Sequence, residues 1–186
     1  MISRSFQTVI FRFRTSKWIG FSTKRFLKND FYYLFTTSIF DSKYKGGDNI
    51  ERNGLYNKHF IFNLPGGKEW KVGKSKSNIL GTNGRLTYMG GDRLTPMLEA
   101  ESIQEGEIVY DYSKAYTEKE KNAAILSFSV TYRINKSNHA GIWSFHLINA
   151  LGNKEFRGYK INDKTGLPEK KFDRIMVPNL SYKIEF

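Results

Sequence analysis

The chain is expected to be mainly β: an antiparallel β-sandwich of jelly-roll or galactose-binding-like kind, preceded by an N-terminal helical or extended arm. Three observations lead there. Apolar and polar residues alternate with a period of two through most of the chain after His59, which is the pattern of strands with one buried face. Gly, Asn and Asp clusters break these runs at short intervals. No helical period recurs between the runs, so a parallel α/β sheet is not expected.

The arm comes first. Seven basic residues and no acid fall within the first 29 residues, and Asp30 is the first carboxylate. Ile2, Phe6, Val9, Ile10 and Phe13 fall at helical spacing, although Val9 to Arg14 also alternates as a strand would. An acid-poor, Arg- and Ser-containing amphipathic N-terminus reads as a transit peptide for mitochondria, here expected to be retained. The competing reading is a basic tail. From Trp18 to Phe40 the chain is rich in aromatics, as an interfacial helix or a helix packed on the protein's own sheet. Its longest apolar run, Phe31 to Phe40, falls well short of the roughly 20 residues a spanning helix needs. No transmembrane segment of its own is expected.

Residues 1–40 are therefore assigned to the arm, 41–58 to a linker marked by Gly46-Gly47-Asp48-Asn49 and Asn53-Gly54, and 59–186 to the sandwich. Phe60 and Phe62 begin a strand that Leu64-Pro65-Gly66-Gly67 interrupts. Trp70 and Val72 resume it. Gly73 to Gly84 reads as a basic loop, and Leu86 with Tyr88 as the next strand. Glu99, Glu101, Glu105 and Glu107 form an acidic patch before a strand of Ile108, Tyr110 and Tyr112. The clearest strand follows: Ala124, Leu126, Phe128, Val130, Tyr132 and Ile134 share one face. Gly141 to Asn149 is apolar on both faces, as a central strand would be. Phe156 to Ile161, Phe172 to Val177, and Leu180 to Phe186 complete the set.

Composition narrows the chemistry. The formal charge is +12, but the chain beyond the first 29 residues holds only about +5 of it, too little for a dedicated nucleic-acid binder. Cysteine is absent, which removes thiolate metal sites and Cys nucleophiles. His59, His139 and His146 have no carboxylate set completing a metal site, and His146 is expected as a core imidazole. Ser144 near His146 lacks an orienting acid. The acidic patch reads as a solvated edge, and Gly66-Gly67-Lys68 does not complete a phosphate loop. No catalytic residue, metal or cofactor is expected, and the chain is not expected to be an enzyme.

The functional expectation is a non-catalytic accessory subunit of a large mitochondrial assembly, an inner-membrane respiratory-chain or ATP-synthase complex, on the matrix side. Trp18, Phe21, Phe31, Tyr32 and Phe35 are the candidate anchors on other protein subunits. Arg12, Arg14, Lys24 and Arg25 are the candidate contacts with acidic partners or anionic lipid head groups. One alternative is a mitochondrial ribosomal protein contacting rRNA or another anion through Lys68, Lys71, Lys74, Lys76 and Arg85, interleaved with Trp70 and Tyr88. The other is a sandwich binding a small ligand or carbohydrate, with loop aromatics stacked on a sugar.

Overall fold

The computed structural model describes residues 13–186. The helical pattern of residues 2–10 and the candidate contact Arg12 lie outside the described residues. The described chain is mainly β, and its sheets are antiparallel, as the alternation predicts.

In chain order the elements are β1 (Phe13–Lys28), β2 (Phe31–Lys45), β3 (Glu51–Asn53), β4 (Phe60–Val72), β5 (Asn78–Met89), β6 (Arg93–Leu94), α1 (Glu99–Glu105), a 3₁₀ turn at Tyr112–Lys114, β7 (Glu118–Lys119), β8 (Ala123–Asn135), β9 (Ala140–Ile148), β10 (Lys154–Ile161), β11 (Pro168–Arg174) and β12 (Val177–Glu185). Seven long strands form one sheet in the order β1-β2-β4-β5-β8-β9-β12, with β3 added on β2. Successive long strands are neighbours, so the sheet is a meander. The pairs β6–β7 and β10–β11 make two small separate sheets.

The Trp18 to Phe40 stretch is not helical. It is a hairpin, with Trp18 opposite Phe40 and Phe21 opposite Thr37. Aromatic and β-branched residues favour the pleated surface, and Asn29-Asp30 turns with both residues at positive φ, 56° and 61°, as a tight hairpin turn requires. The hairpin is continuous with the rest, because β2 pairs with β4. The stretch read as a linker, 41–58, thus begins inside β2, whose last residues are 41–45, and then joins two neighbouring strands of one sheet and carries β3.

Four other stretches differ from expectation. β4 runs unbroken through Leu64-Pro65-Gly66-Gly67. Its ladder to β5 is complete, and its pairing with β2 lapses between Tyr33–Gly66 and Thr36–Asn63, which gives Pro65 a place where no donor is needed. The basic loop shrinks to residues 73–77, since β5 begins at Asn78. The acidic patch forms α1 rather than extended chain. Glu99 and Glu101 lie in its first turn, where the helix dipole favours them, and Gly106 ends it at φ 68°, a left-handed cap that glycine adopts without strain. The expected strand at Ile108 to Tyr112 is reduced to one bridge, Met97 to Tyr110.

The two ends of the sheet are unlike. At one end the strands are joined by 29–30, 73–77 and 136–139. At the other the connections are 46–59, 90–122 and 149–176, and these hold all the small elements.

Candidate functional surface

Register fixes which side chains share a face. The rows Trp70–Leu80–Tyr132–Trp143–Tyr182, Leu64–Leu86–Leu126 and Thr82–Val130–Phe145–Leu180 run across neighbouring strands on one face. Ile19, Phe21, Phe35, Ile39, Phe60, Phe62 and Tyr88 extend that face toward β1. Ring contacts confirm the shared side: Phe21 to Phe35 at 6.5 Å, Phe62 to Tyr88 at 6.4 Å and Trp143 to Tyr182 at 4.6 Å.

The opposite face is polar. Its rows include Asn63–Thr87–Ile125, Gly67–Asn83–Ser129–His146–Asn179 and Gly81–Thr131–Ser144–Ser181. These side chains bond to each other across strands. Thr87 donates to Asn63 at 2.8 Å, Asn83 to Ser129 at 3.3 Å and Arg133 to Glu185 at 2.7 Å. Tyr32 donates to Asn83 over Gly67. A Cβ on Gly67 would stand 2.8 Å from the Tyr32 ring, so only glycine lets that ring cross.

Among the described residues the middle of the apolar face is uncovered, while at its loop end Lys119 lies over the Phe60 ring, 5.8 Å from its centre, and Asn122 donates to the Tyr88 hydroxyl at 3.2 Å. Leu180 is 69% exposed, Phe21 59%, Trp143 46% and Phe128 38%. Among the described residues the buried apolar ones are few: Leu94, Ala115 and Ala140. Charges on the apolar face sit toward the strand ends: Lys17, Asp41 and Lys43 on the loop side, Arg25 and Lys68 on the short-turn side. Lys68 lies over the Trp70 ring, 5.5 Å from its centre, with its stem along apolar surface as a long cationic side chain does at an interface.

The candidate partner residues split between faces. Phe21, Arg25, Phe31 and Phe35 are on the apolar side, and Arg14, Trp18, Lys24 and Tyr32 on the polar side. The candidate anion contacts divide likewise. Lys68 is apolar-side, Lys71 and Arg85 are polar-side, and Lys74 and Lys76 belong to the 73–77 turn. His146 is not a core imidazole: it is exposed on the polar face between Ser129 and Asn179, because that face has no layer packed on it. Among the described residues, no group of three or more His, Asp or Glu could hold a metal ion, and no helix is long and apolar enough to cross a membrane.

The loop end is a separate polar assembly. Asp48 accepts from the Ile50 amide at 3.1 Å and from Arg52 at 2.7 Å, and the amide bond, then Arg52, lowers its pKa. Asp111 caps the 3₁₀ turn by accepting from the Ser113 amide at 3.1 Å, and the bond it accepts from the Ser113 hydroxyl lowers its pKa foremost. Burial raises the Tyr159 phenol, and the Glu118 charge adds to it.

Comparison with protein-family models, with curated proteins and with solved structures finds no match to this chain.

Sequence reasoning missed the continuous apolar face. The signal was present in the alternation of Leu126 to Ile134 and of Leu180 to Ile184, but that alternation was assigned to a covered core.

Proposed function

We propose that the seven long strands are part of the wall of a membrane-spanning antiparallel β-barrel, with the apolar face toward lipid and the polar face toward the lumen. One observation carries the reading: a largely apolar face spans seven strands, open over its middle, with a hydrogen-bonded polar face behind it. A water-soluble sheet buries such a face. A barrel wall turns it to acyl chains and keeps polar groups inside.

The dimensions agree. The shortest of the seven, β9 and β12, have nine residues. At about 3.4 Å per residue and a tilt of about 40°, nine residues rise about 23 Å, close to the roughly 25 Å apolar band of such barrels. The row Trp70, Tyr132, Trp143, Tyr182 lies toward the short-turn end, and Phe60, Phe62 and Tyr88 toward the loop end. Aromatic belts at both interfaces are a feature of these walls. So is the pairing of short turns on one side with long loops on the other.

This reading departs from an accessory subunit with no membrane segment on the matrix side of the mitochondrial inner membrane. The protein's place becomes a bilayer of the kind that holds β-barrels. The subunit reading keeps one supporting observation, the exposure of the anchors Trp18 and Phe21. On that reading, other proteins cover the apolar face.

The three tryptophans separate the two. Trp70 and Trp143 are on the apolar face, Trp18 on the polar face. Single-tryptophan variants are reconstituted with brominated phosphatidylcholine, a contact quencher. Strong quenching at Trp70 and Trp143 with Trp18 spared is expected. Equal quenching at all three, or no association with the vesicles, would overturn the proposal.

A further inference from the structure

All three long connections converge on one open cleft of about 500 Å³, whose walls include Leu55 and Tyr56 from the first, Arg93, Tyr110 and Tyr112 from the second, and Phe156 and Tyr159 from the third. The volume lies in the range of about 300–1,000 Å³ usual for small-molecule sites. Segments far apart in the chain meet here, so the cleft is a product of the fold.

The ionised groups at the cleft are already engaged. Arg93 donates to the Asn57 carbonyl at 3.2 Å and to His59. Arg157 pairs with Glu155 at 3.1 Å and Asp173 at 3.6 Å. Asp92 pairs with Lys58. Each of these groups thus already has a hydrogen-bond or ion-pair partner within the protein. What remains open is aromatic. Tyr110 and Tyr159 meet edge to face at 6.1 Å, Phe156 and Tyr159 at 5.3 Å, which fixes a wall of rings. Tyr56 and Tyr112 stand at the mouth, 76% and 73% exposed, and neither hydroxyl has a hydrogen-bond partner among the described residues.

The geometry points to a binding site for a neutral saccharide chain. Ring faces carry negative charge density, and the C–H-rich face of a pyranose offers the matching positive edge. The phenol hydroxyls can then serve the sugar's own hydroxyls. A flat aromatic ligand would use the rings and leave those hydroxyls unserved. A charged ligand would have to compete with the partners that Arg93, Arg157 and Asp92 already hold. The loop aromatics that matter are thus Tyr56 and Tyr112, not Trp70 and Tyr88, which belong to the apolar face of the sheet.

The inference does not depend on whether the sheet crosses a bilayer. The test is calorimetric titration of the full chain, held in detergent micelles, with cellohexaose, maltoheptaose and xylohexaose, and with p-nitrophenol as an aromatic probe. Near-ultraviolet circular dichroism checks that each variant keeps its tyrosine environment. We expect saturable binding of at least one oligosaccharide. Tyr112→Ala and Tyr56→Ala should each weaken it tenfold or more, and Tyr112→Phe only a few-fold, since the ring remains. Absence of binding by all three sugars in folded protein would overturn the site. So would affinity unchanged in both Ala variants, or p-nitrophenol binding as tightly as the sugars. Quenching of Trp70 and Trp143 by lipid is a separate reading and stands or falls on its own.

Discussion

Leu86 and Ser144 show what a single residue decides here. Both lie inside long strands, one on each face. Leu86 is 40% exposed, which in water would be a liability and in lipid is the preferred state. Leu86→Arg should cost about 1–3 kcal/mol of folded stability in a bilayer, somewhat below the figure for a cation at the midplane because Leu86 is one same-face position from Tyr88. Ser144→Arg, on the polar side, should cost well under half of that. Urea unfolding in vesicles, followed by tryptophan emission, measures both. Equal costs would mean that the two faces meet the same medium. Residue types made the face legible in advance, since Leu126, Phe128 and Val130 were seen to share a side. They did not make Gly67 legible. Its role depends on Tyr32 crossing from the neighbouring strand to reach Asn83, a contact between residues 51 positions apart.

Elements divide by the end of the sheet they serve. The short turns hold register, and Asn29-Asp30 is the clearest of them. The long connections hold polar clusters instead of a core. Asp48 and Asp111 organise two of these, and both carboxylates lie below the ordinary value because amide, hydroxyl or Arg donors favour the ionised form. A depressed folded-state value means that the stabilisation is complete above the unfolded value, about pH 4, and is lost as pH falls through the folded value. Amide exchange at Ile50 and Ser113, corrected for intrinsic rate, should therefore accelerate below about pH 4, while the central strands β5 and β8 stay protected. Unchanged protection at those two amides would remove the carboxylates from that role. Here the sequence was partly legible. Gly46-Gly47-Asp48-Asn49 was read as a turn, but the acidic patch was read as an edge. Helix formation over Glu99–Glu105 rests on a left-handed Gly106 and on Ser102, which donates to the Leu98 carbonyl at 2.6 Å and accepts from the Val109 amide at 3.0 Å, contacts that composition does not announce.

At the scale of the whole molecule, the described residues do not fold around a core: Ile19, Phe21, Trp143 and Leu180 stand 70%, 59%, 46% and 69% exposed, while the buried apolar residues are Leu94, Ala115 and Ala140. Such a chain is expected to aggregate in water and to disperse as a folded species in detergent, as sedimentation with and without micelles would show. A compact monomer free of detergent would contradict a wall exposed to lipid. Among the described residues, β1 and β12 are the edges of the sheet and are not paired to each other. Seven strands are fewer than the roughly eight of the smallest barrels, and an open edge is not tolerated in hydrocarbon, so the wall needs further strands beside these.

The sequence by itself determined most of the long strands after His59, several of their turns and the alternation that sorts side chains onto two faces, because period and turn chemistry are local properties of the chain. Only the tertiary structure decided that the apolar face is left uncovered and that three distant loops build one aromatic cleft. A period of two reports that a face is apolar. Whether that face meets a second layer or a different solvent depends on what lies opposite it, and no stretch of the chain carries that information alone.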